Sequence, residues 1–398
     1  MRIKDPIWQS CGQIKQIVRL LKGKIRFVGG CVRDSLIGKI PEDIDMATPL
    51  KPPAVMGILK KHGFTVLPTG FLYGTVTALT GNKLFPTVEI TTLRRDISND
   101  GRRPKVVYTK DWQEDALRRD FTFNALYADF DGTVYDFCEG IQDLKNGYVR
   151  FIGDPAQRIS EDYLRILRYF RFLALFETSR ADPETLDACR NAGEHLSGIS
   201  LDRTRRELFK LTETKNAVRG FQAMCRAGLL ENYFPAAGLP VLDRLLQLCP
   251  DAGLLIRLLA LSVPSVESVD LLVQRWQLSK AQRKEMRHIV LFDRTKLPAD
   301  YTTNDLFRLA VYFKDKNVDE ILSLYEAVRP GAGWLEIKEK CKETVVPPFR
   351  FSGSDVMARA EKAKIKEFVA QVYEYWLSTN GNAGRNELLA YAQEHFKR

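Results

Sequence analysis

The sequence predicts an α+β protein in which a sheet-containing head precedes a long helical remainder. Short β-like runs alternate with glycines, prolines and short helical patterns as far as the Asp154-Pro155 pair. After this pair the apolar residues follow helical spacing almost to the end of the chain. At 398 residues the chain exceeds one ordinary hydrophobic core, so we expect two to four folded units.

The individual elements follow from the same patterns. Ile14, Ile17, Val18 and Leu21 recur at helical spacing and predict a first helix that leads into a strand. The β-like runs of the head cover residues 25–28, 44–47, 74–79, 88–92, 106–108 and 124–128. In the helical remainder, loop signals occur at residues 181–183, 235–240, 250–253, 297–304, 330–333 and 346–353.

Composition narrows the class of protein. Hydrophobic residues make up 45% and charged residues 28%, the balance of a folded globular protein. A net charge of +10 favours a polyanionic partner such as nucleic acid. The seven cysteines form no C-x-x-C pair, so they support neither a zinc cluster nor a disulfide framework, and we expect reduced thiols in the cytoplasm. The richest apolar stretch, residues 254–263, is far shorter than the ~20 residues of a membrane span, so we expect no membrane association.

The most informative segment joins a glycine pair to a pair of aspartates. Gly29 and Gly30 allow backbone N–H groups to approach an anion, at what resembles a helix start, and Arg33 adds a charged contact. Asp43 and Asp45 lie two residues apart, which on a strand places both carboxylates on one face. Two close anions favour a cation such as Mg²⁺ between them. A glycine turn followed by a solvated Asp-x-Asp is the structural alternative, and the order of the features favours function.

Two further polar segments precede the helical part. Residues 94–106 are charged and glycine-broken between two β-like runs, and a solvated surface loop is an equal alternative to a functional one. Arg118, Arg119 and Asp120 precede an apolar strand or helix. Arginines suit phosphate and an aspartate can accept from a ribose hydroxyl, although a surface salt-bridge cluster is equally compatible.

The helical part opens with a charged amphipathic segment. Ser160 is the expected N-cap of a helix whose first turn contains two acids, and Asp162, Arg165 and Arg168 follow as i,i+3 neighbours. Arg171 lies further round the helix. An Asp and an Arg side by side offer an acceptor and a donor to a base, whereas an ordinary helix with an i,i+3 ion pair is the alternative. Residues 199–208 predict a capped, arginine-rich helix, for which a structural role is favoured and phosphate contact is the alternative.

Taken together, these segments resemble the class II CCA-adding enzymes, the tRNA nucleotidyltransferases related to bacterial poly(A) polymerases. The resemblance implies that Asp43 and Asp45 are catalytic and hold two Mg²⁺ ions, which activate the RNA 3′-hydroxyl and stabilise the leaving pyrophosphate. It implies that Asp162 and Arg165 hydrogen-bond the incoming cytosine or adenine. The nucleotide-binding residues that it implies are Gly29, Gly30, Arg33, Arg118, Arg119, Asp120, Asp162, Arg165, Arg168 and Arg171.

The subtype depends on a loop that the family needs for switching from CTP to ATP. The residues that resemble this flexible loop are Arg95, Asp96, Asp100, Gly101, Arg102 and Arg103. Their presence argues against an enzyme that adds only CC. Residues 70–76 resemble the CCA-adding version more than the poly(A) polymerase version, which shares every other motif.

The resemblance also implies an architecture and partners. The head, with a small mixed β-sheet and flanking helices, covers residues 1–154, followed by an all-α neck (155–214), body (215–300) and tail (301–398). Substrates are CTP, ATP and the tRNA acceptor arm, read by shape and phosphate contact, and a monomer is expected. The alternatives are a poly(A) polymerase, an enzyme that adds only A, and a non-catalytic RNA-binding protein.

Overall fold

The protein divides into two compact units, Met1–Leu229 and Leu230–Arg398. The computed structural model describes residues 1–98, 105–176, 179, 181–291, 301–312, 318–355 and 364–395. The finer division into head, neck, body and tail stays a prediction.

A mixed sheet forms the first part of the N-terminal unit. Its strands run in the order β3-β4-β5-β2-β1-β8-β9, and β6 and β7 form a separate hairpin. The pairing of β2 with β5 is parallel and the other pairs are antiparallel. The strands are β1 Arg26–Val28, β2 Ile44–Thr48, β3 Val66–Gly70, β4 Thr75–Leu79, β5 Thr87–Thr92, β6 Arg94–Ser98, β7 Lys105–Tyr108, β8 Leu126–Ala128 and β9 Val134–Asp136.

Helices flank this sheet and make up the rest of the described chain. In the N-terminal unit they are α1 Gly12–Leu20, α2 Gly30–Leu36, α3 Pro52–Lys61, α4 Trp112–Leu117, α5 Gly140–Asn146, α6 Pro155–Glu161, α7 Leu164–Leu173, α8 Pro183–Asn191, α9 Leu201–Glu213 and α10 Ala217–Arg226. In the C-terminal unit they are α11 Gly238–Leu248, α12 Leu254–Leu261, α13 Val266–Trp276, α14 Lys280–Leu291, α15 Thr303–Tyr312, α16 Val318–Val328, α17 Trp334–Glu343, α18 Ile365–Ser378 and α19 Arg385–His395. The predicted α+β fold class is confirmed.

Three strands were not predicted from the sequence. Strand β3 contains Pro68 and ends at Gly70, both of which are unfavourable in a strand and typical of an edge. Strand β6 is dominated by charged residues, and β9 has only three residues. Their pairing partners, rather than their own β-propensity, determine these strands.

Aromatic packing fixes α7 against the head. Phe121 and Phe123, in the segment before β8, pack edge to face on Phe172 of α7, with ring centroids 5.1 and 5.2 Å apart. Phe121 also stacks on Phe151 at 4.5 Å, and all four rings are buried. The arginines of α7 lie at the margin of this cluster, since the guanidinium carbons of Arg168 and Arg171 are 5.5 and 4.1 Å from the Phe172 ring centroid.

The C-terminal unit has a core of its own. Phe307 of α15 contacts Trp376 of α18 edge to face at 5.5 Å, and Leu388 of α19 is fully buried in the same cluster. Of the helices in the described ranges, none combines the length and the apolar character that crossing a membrane requires.

The break between α6 and α7 corrects one prediction. Ser160 does not cap a helix, because α6 begins at Pro155, where the carboxylate of Asp154 accepts the Gln157 N–H at 2.7 Å. An Asp N-cap followed by Pro is the stronger start signal. Asp162 is extended (φ −157°, ψ 104°) and accepts the N–H of Leu164 at 3.2 Å. The two helices therefore meet at Asp162, which lies outside both.

Candidate active site

The glycine pair forms the turn between β1 and α2, as the sequence predicted. Gly29 has φ +73° and ψ −125°, a conformation that side chains disfavour, and α2 begins at Gly30. A Cβ atom on Gly29 would lie 3.7 Å from Nη1 of Arg119. The turn therefore lies close to a guanidinium group, so an anion bound at the glycine backbone would also be near Arg119.

Arg33 is held in place from three sides. Its guanidinium donates to the Asp34 carboxylate at 2.8 and 2.9 Å and to Oδ1 of Asn124 at 2.8 Å, and it lies 5.1 Å from the ring centroid of Phe172. These contacts order the side chain before any ligand binds. Asp34 and Asn124 were not singled out in the sequence.

A cavity of about 550 Å³ is lined by four carboxylates, those of Asp43, Asp45, Glu89 and Glu207. Strand β2 begins at Ile44, so Asp45 lies in the strand and Asp43 just before it, and the parallel register places Glu89 of β5 opposite Asp45. Within the described residues the side chains of Asp43, Asp45 and Glu89 make no hydrogen bond or ion pair. Burial, with the charges of Glu89 and then Asp43, raises the pKa of Asp45 to about 6 against the opposing charge of Arg119.

This carboxylate set fits a divalent cation that is shared with a ligand. No group of three or more His, Cys, Asp and Glu side chains in the searched, described part of the chain is arranged to hold a metal alone. Hard divalent cations accept one or two carboxylates and complete their shell with phosphate oxygens and water. Asp43 and Asp45 supply two such carboxylates and leave the rest of the coordination shell to the ligand and water. Glu89 was missed in the sequence, where its signal is a single acid in an otherwise apolar and threonine-rich strand.

The raised pKa of Asp45 predicts acid-sensitive metal binding. A proton competes with the metal for this carboxylate, so we expect divalent-metal affinity to be level above about pH 6 and to fall below it, approaching tenfold per pH unit. Calorimetric metal titrations of the nucleotide-free protein between pH 5 and 8 measure this. Glu89→Gln removes one cause of the raised pKa and should move the fall to lower pH. Equal affinity at pH 5 and 7 would contradict the assignment.

A buried aspartate fixes Arg118 and Arg119. Asp115, 1% exposed, accepts from Nε of Arg118 at 2.8 Å, Nη2 of Arg119 at 3.0 Å, the Tyr127 hydroxyl at 2.6 Å and the Arg94 N–H at 3.1 Å. Burial opposes ionisation, but Arg119 and Arg118 hold the pKa of Asp115 well below its usual range. Both guanidinium groups are therefore paired with a buried carboxylate and do not form a solvated surface cluster. The i,i+3 and i,i+4 spacing of Asp115 was the available sequence signal.

Removing the Asp115 carboxylate should destabilise the N-terminal unit. Asp115→Ala leaves two guanidinium groups without their buried counter-charge, for which we expect a loss of about 3–5 kcal/mol in the free energy of unfolding. The matched control is Asp202→Ala, which removes an exposed i,i+3 partner of Arg205 and should cost about 0–1 kcal/mol. Urea unfolding followed by tryptophan fluorescence distinguishes the two. Similar losses in both variants would contradict the described role of Asp115.

A chain of ion pairs connects Asp120 to α9. Arg168 donates to Asp120 at 2.7 Å and to Glu207 of α9 at 3.3 Å, and Arg171 donates to Glu207 at 2.6 Å. Burial opposes ionisation of Asp120, yet Arg168 and the Asn124 amide lower its pKa to about 2. The structure thus brings together Asp120, Arg168 and Arg171. The positive charges of the two arginines are matched by the buried carboxylates of Asp120 and Glu207. Glu207 was not recognised in the sequence.

A second cavity, of about 1000 Å³, contains the Asp162 and Arg165 pair. In place of the i,i+3 ion pair of the structural alternative, Asp162 pairs with Arg203 of α9 at 2.6 Å and Arg165 pairs with Glu161 at 2.5 Å. Within the described residues the two side chains form no ion pair with each other, because Asp162 precedes α7, although the Arg165 N–H donates to the Asp162 carbonyl oxygen at 2.9 Å. The residues that line this cavity include Tyr73, Arg118, Arg119, Asp120, Asp162, Tyr163, Arg165, Arg168, His195 and Arg203.

The two cavities are adjacent, since Arg168 lines both. In the larger one Tyr163 stacks on His195, with ring centroids 4.3 Å apart. Neither ring was singled out in the sequence. Carboxylates that fit a cation thus lie next to a polar cavity with hydrogen-bond donors, acceptors and a stacked aromatic pair.

The predicted flexible loop is only partly described. Arg95 and Asp96 lie on β6, which pairs with β7, so the flanks of this segment form a hairpin rather than a surface loop. Asp100, Gly101, Arg102 and Arg103 lie outside the described residues.

Two known protein families match parts of the chain that contain some residues of this site. A model described as the poly A polymerase head domain matches residues 25–150. A model described as the probable RNA and SrmB-binding site of polymerase A matches residues 180–238. These ranges include the glycine turn, the carboxylates and α9.

Individual relatives and solved structures agree. The chain is 31% identical to the mitochondrial CCA tRNA nucleotidyltransferase 1 of Homo sapiens, over 99% of this chain and 93% of that protein. It is 33% identical to the CCA-adding enzyme of Lactobacillus helveticus, over 70% and 69%. The crystal structure of the Bacillus stearothermophilus CCA-adding enzyme in complex with CTP superimposes with a TM-score of 0.69 at 25% identity, covering 98% of each chain. The Thermotoga maritima CCA-adding enzyme complexed with tRNA shares the fold, at a TM-score of 0.64 and 19% identity over 99% and 96%.

This similarity extends over nearly the whole chain and confirms that the protein is a nucleotidyltransferase. Dependence on a divalent metal is implied by the family and fits the carboxylates described above. The chain belongs to the class II CCA-adding enzymes of the tRNA nucleotidyltransferase/poly(A) polymerase family.

Proposed function

We propose that this protein adds CCA to the 3′ end of tRNA, using CTP and ATP without a nucleic acid template and releasing pyrophosphate. The observation that carries the proposal is the adjacency of the carboxylate cavity, with Asp43 and Asp45, to the cavity that contains Asp162 and Arg165. One part fits the reacting phosphate and its metal, and the other fits a base. The names of the relatives support CTP, ATP and tRNA as substrates.

In this proposal Asp43 and Asp45 hold Mg²⁺, with Glu89 as a third neighbouring carboxylate. When bound, the metal lowers the pKa of the RNA 3′-hydroxyl and stabilises charge on the phosphates. Gly29 and Gly30 present backbone N–H groups to the triphosphate. The side chains position the reactants for in-line attack on the α-phosphate.

The arginines bind the nucleotide from preset positions. Arg118 and Arg119 contact the phosphates while Asp115 holds them, so little side-chain entropy is lost on binding. Arg33 is held in the same way by Asp34. The contacts of Asp120 with the ribose, and of Arg168 and Arg171 with the nucleotide, belong to the same proposal.

Base choice is assigned to the acceptor of Asp162 and the donors of Arg165. Cytosine and adenine both present an exocyclic amine that donates and a ring nitrogen that accepts, so one Asp and one Arg can serve both. Arg203 and Glu161 fix the two side chains on their other edges. The stacked Tyr163 and His195 offer a flat apolar surface within the same cavity.

A poly(A) polymerase is the second candidate, because the matching family models carry that description. It would use the same carboxylates but would extend RNA with ATP alone and without a fixed stop. A tRNA transcript without its CCA end and an unstructured RNA, each given Mg²⁺ and ATP only, distinguish the two. A long ladder on either RNA supports the polymerase, and no extension of either by ATP alone supports CCA addition.

Location and assembly remain predictions. We propose a cytoplasmic monomer, although the human relative carries "mitochondrial" in its name. Light scattering coupled to size-exclusion chromatography tests the monomer, and fractionation of the source cells tests the location.

A further inference from the structure

Helix α9 places two cations on the wall of the carboxylate cavity. Arg206 and Lys210 are four residues apart, so they share one face of the helix, and both line the cavity with Asp43, Asp45 and Glu89. Neither cation belongs to the family motifs recognised in the sequence. Cations and carboxylates that line one cavity suit a ligand that both can hold.

These two cations differ in charge balance from Arg168 and Arg171, which line the same cavity. Arg168 and Arg171 are matched by buried Asp120 and Glu207, whereas Arg206 forms no ion pair or hydrogen bond within the described residues. Lys210 pairs with Glu42 at 3.0 Å, and the two side chains are 44% and 79% exposed. An exposed pair of this kind is weak and readily exchanged. The cavity wall therefore carries positive charge that an incoming anion can use.

A phosphate group is an anion that suits this combination of cations and carboxylates. The cations can bind the phosphate directly, and the carboxylates can bind it through a shared divalent metal. In the proposed function the phosphates of the nucleotide already have the glycine turn, Arg118 and Arg119 as partners, and both arginines line the larger cavity. The smaller cavity, at about 550 Å³, is within the range of small-molecule sites. No nucleotide contact assigned above uses the cations of α9 in this cavity, so they remain for the second substrate.

We propose that Arg206 and Lys210 bind the last phosphodiester of the RNA 3′ end and thereby position its terminal hydroxyl beside Asp43 and Asp45. Glu42 holds Lys210 at the cavity until the RNA phosphate replaces it. This inference rests on the proposed function, because it takes RNA as the acceptor. The same chemistry would also suit the β- and γ-phosphates of the nucleotide, and the experiment separates the two sources.

The test measures RNA binding against salt concentration. The probe is a fluorescently labelled RNA minihelix with a single-stranded 3′ end that stops at CC, followed by anisotropy at several KCl concentrations. We expect Arg206→Gln and Lys210→Gln each to weaken binding about tenfold and to reduce the slope of log Kd against log salt by about 0.7. Lys210→Arg should restore both. Arg205→Gln, on the same helix and paired with Asp202, is the charge-matched control and should change Kd less than twofold.

Nucleotide kinetics of the same variants assign the phosphate. An unchanged KM for CTP beside weakened RNA binding supports the proposal. A tenfold rise in the KM for CTP with unchanged RNA affinity would move the phosphate to the nucleotide and overturn the RNA assignment. Unchanged RNA affinity, salt slope and KM would overturn the site altogether. The wild-type extension products test the proposed function separately, since RNA binding and its salt slope are measured without nucleotide.

Discussion

Replacing Asp45 with asparagine is expected to reduce transfer of both CTP and ATP by at least about 10³-fold, and Asp43→Asn should do the same. Each removes a carboxylate that the proposal assigns to the metal, and phosphoryl transfer depends on such electrostatic stabilisation. Single-turnover extension of a tRNA lacking its CCA end measures the effect. Glu89→Gln extends the test to the carboxylate that register alone identified.

The folded state should tolerate the Asp45 change. The pKa of Asp45 is raised from 3.8 to about 6, so its ionisation destabilises the metal-free protein fully above pH 6, and this destabilisation declines as the pH falls from 6 to 3.8. We therefore expect Asp45→Asn to unfold at the same temperature as wild type or higher at pH 7, and to bind tRNA normally. Asp131→Asn, an exposed head carboxylate, is the control for charge. Transfer near the wild-type rate by Asp43→Asn or by Asp45→Asn would show the metal assignment to be wrong.

The second large effect concerns nucleotide choice. Asp162→Ala and Arg165→Ala should each reduce discrimination between CTP, ATP and the other nucleotides about 10- to 100-fold, since a well-formed pair of hydrogen bonds to a base is worth about 1–3 kcal/mol. Misincorporation of UTP and GTP is the most sensitive readout. The measurement is sequencing of products formed with all four nucleotides present.

Arg203 separates recognition from positioning. Arg203 of α9 forms an ion pair with Asp162 at 2.6 Å. Arg203→Gln should therefore reduce nucleotide selectivity less than Asp162→Ala does, and should leave the maximal rate with saturating CTP nearly unchanged. Arg190→Gln, which removes a pair on the exposed surface, should alter neither. Unaltered product sequences in both the Asp162 and Arg165 variants would reject the recognition role.

Local signals in the sequence predicted much of this protein. The glycine turn, the start of α2 and the two aspartates lie within one short segment, so their neighbourhood is determined by chain connectivity. The β-like runs that became β1, β2, β4, β5, β7 and β8 carry their own apolar or β-branched residues. Chemistry that depends on adjacent residues was therefore accessible.

Contact partners that are distant in sequence could not be predicted. Arg203 reaches Asp162 across 41 residues, and Glu89 meets Asp45 only through the parallel register of β5 with β2. A single sequence does not specify which strands pair or in which register. The break at Asp162 was missed for a local reason, because the Asp154-Pro155 helix start outweighed the signal at Ser160.

The most direct test of the central claim uses a tRNA transcript that lacks its CCA end, with Mg²⁺ and with CTP and ATP supplied singly and together. The proposed function predicts two additions with CTP alone and a single further addition when ATP is present, after which extension stops. Addition of one A only to a transcript that already ends in CC would indicate an A-adding enzyme. No extension under any condition, with tRNA binding intact, would contradict catalysis and leave a binding protein.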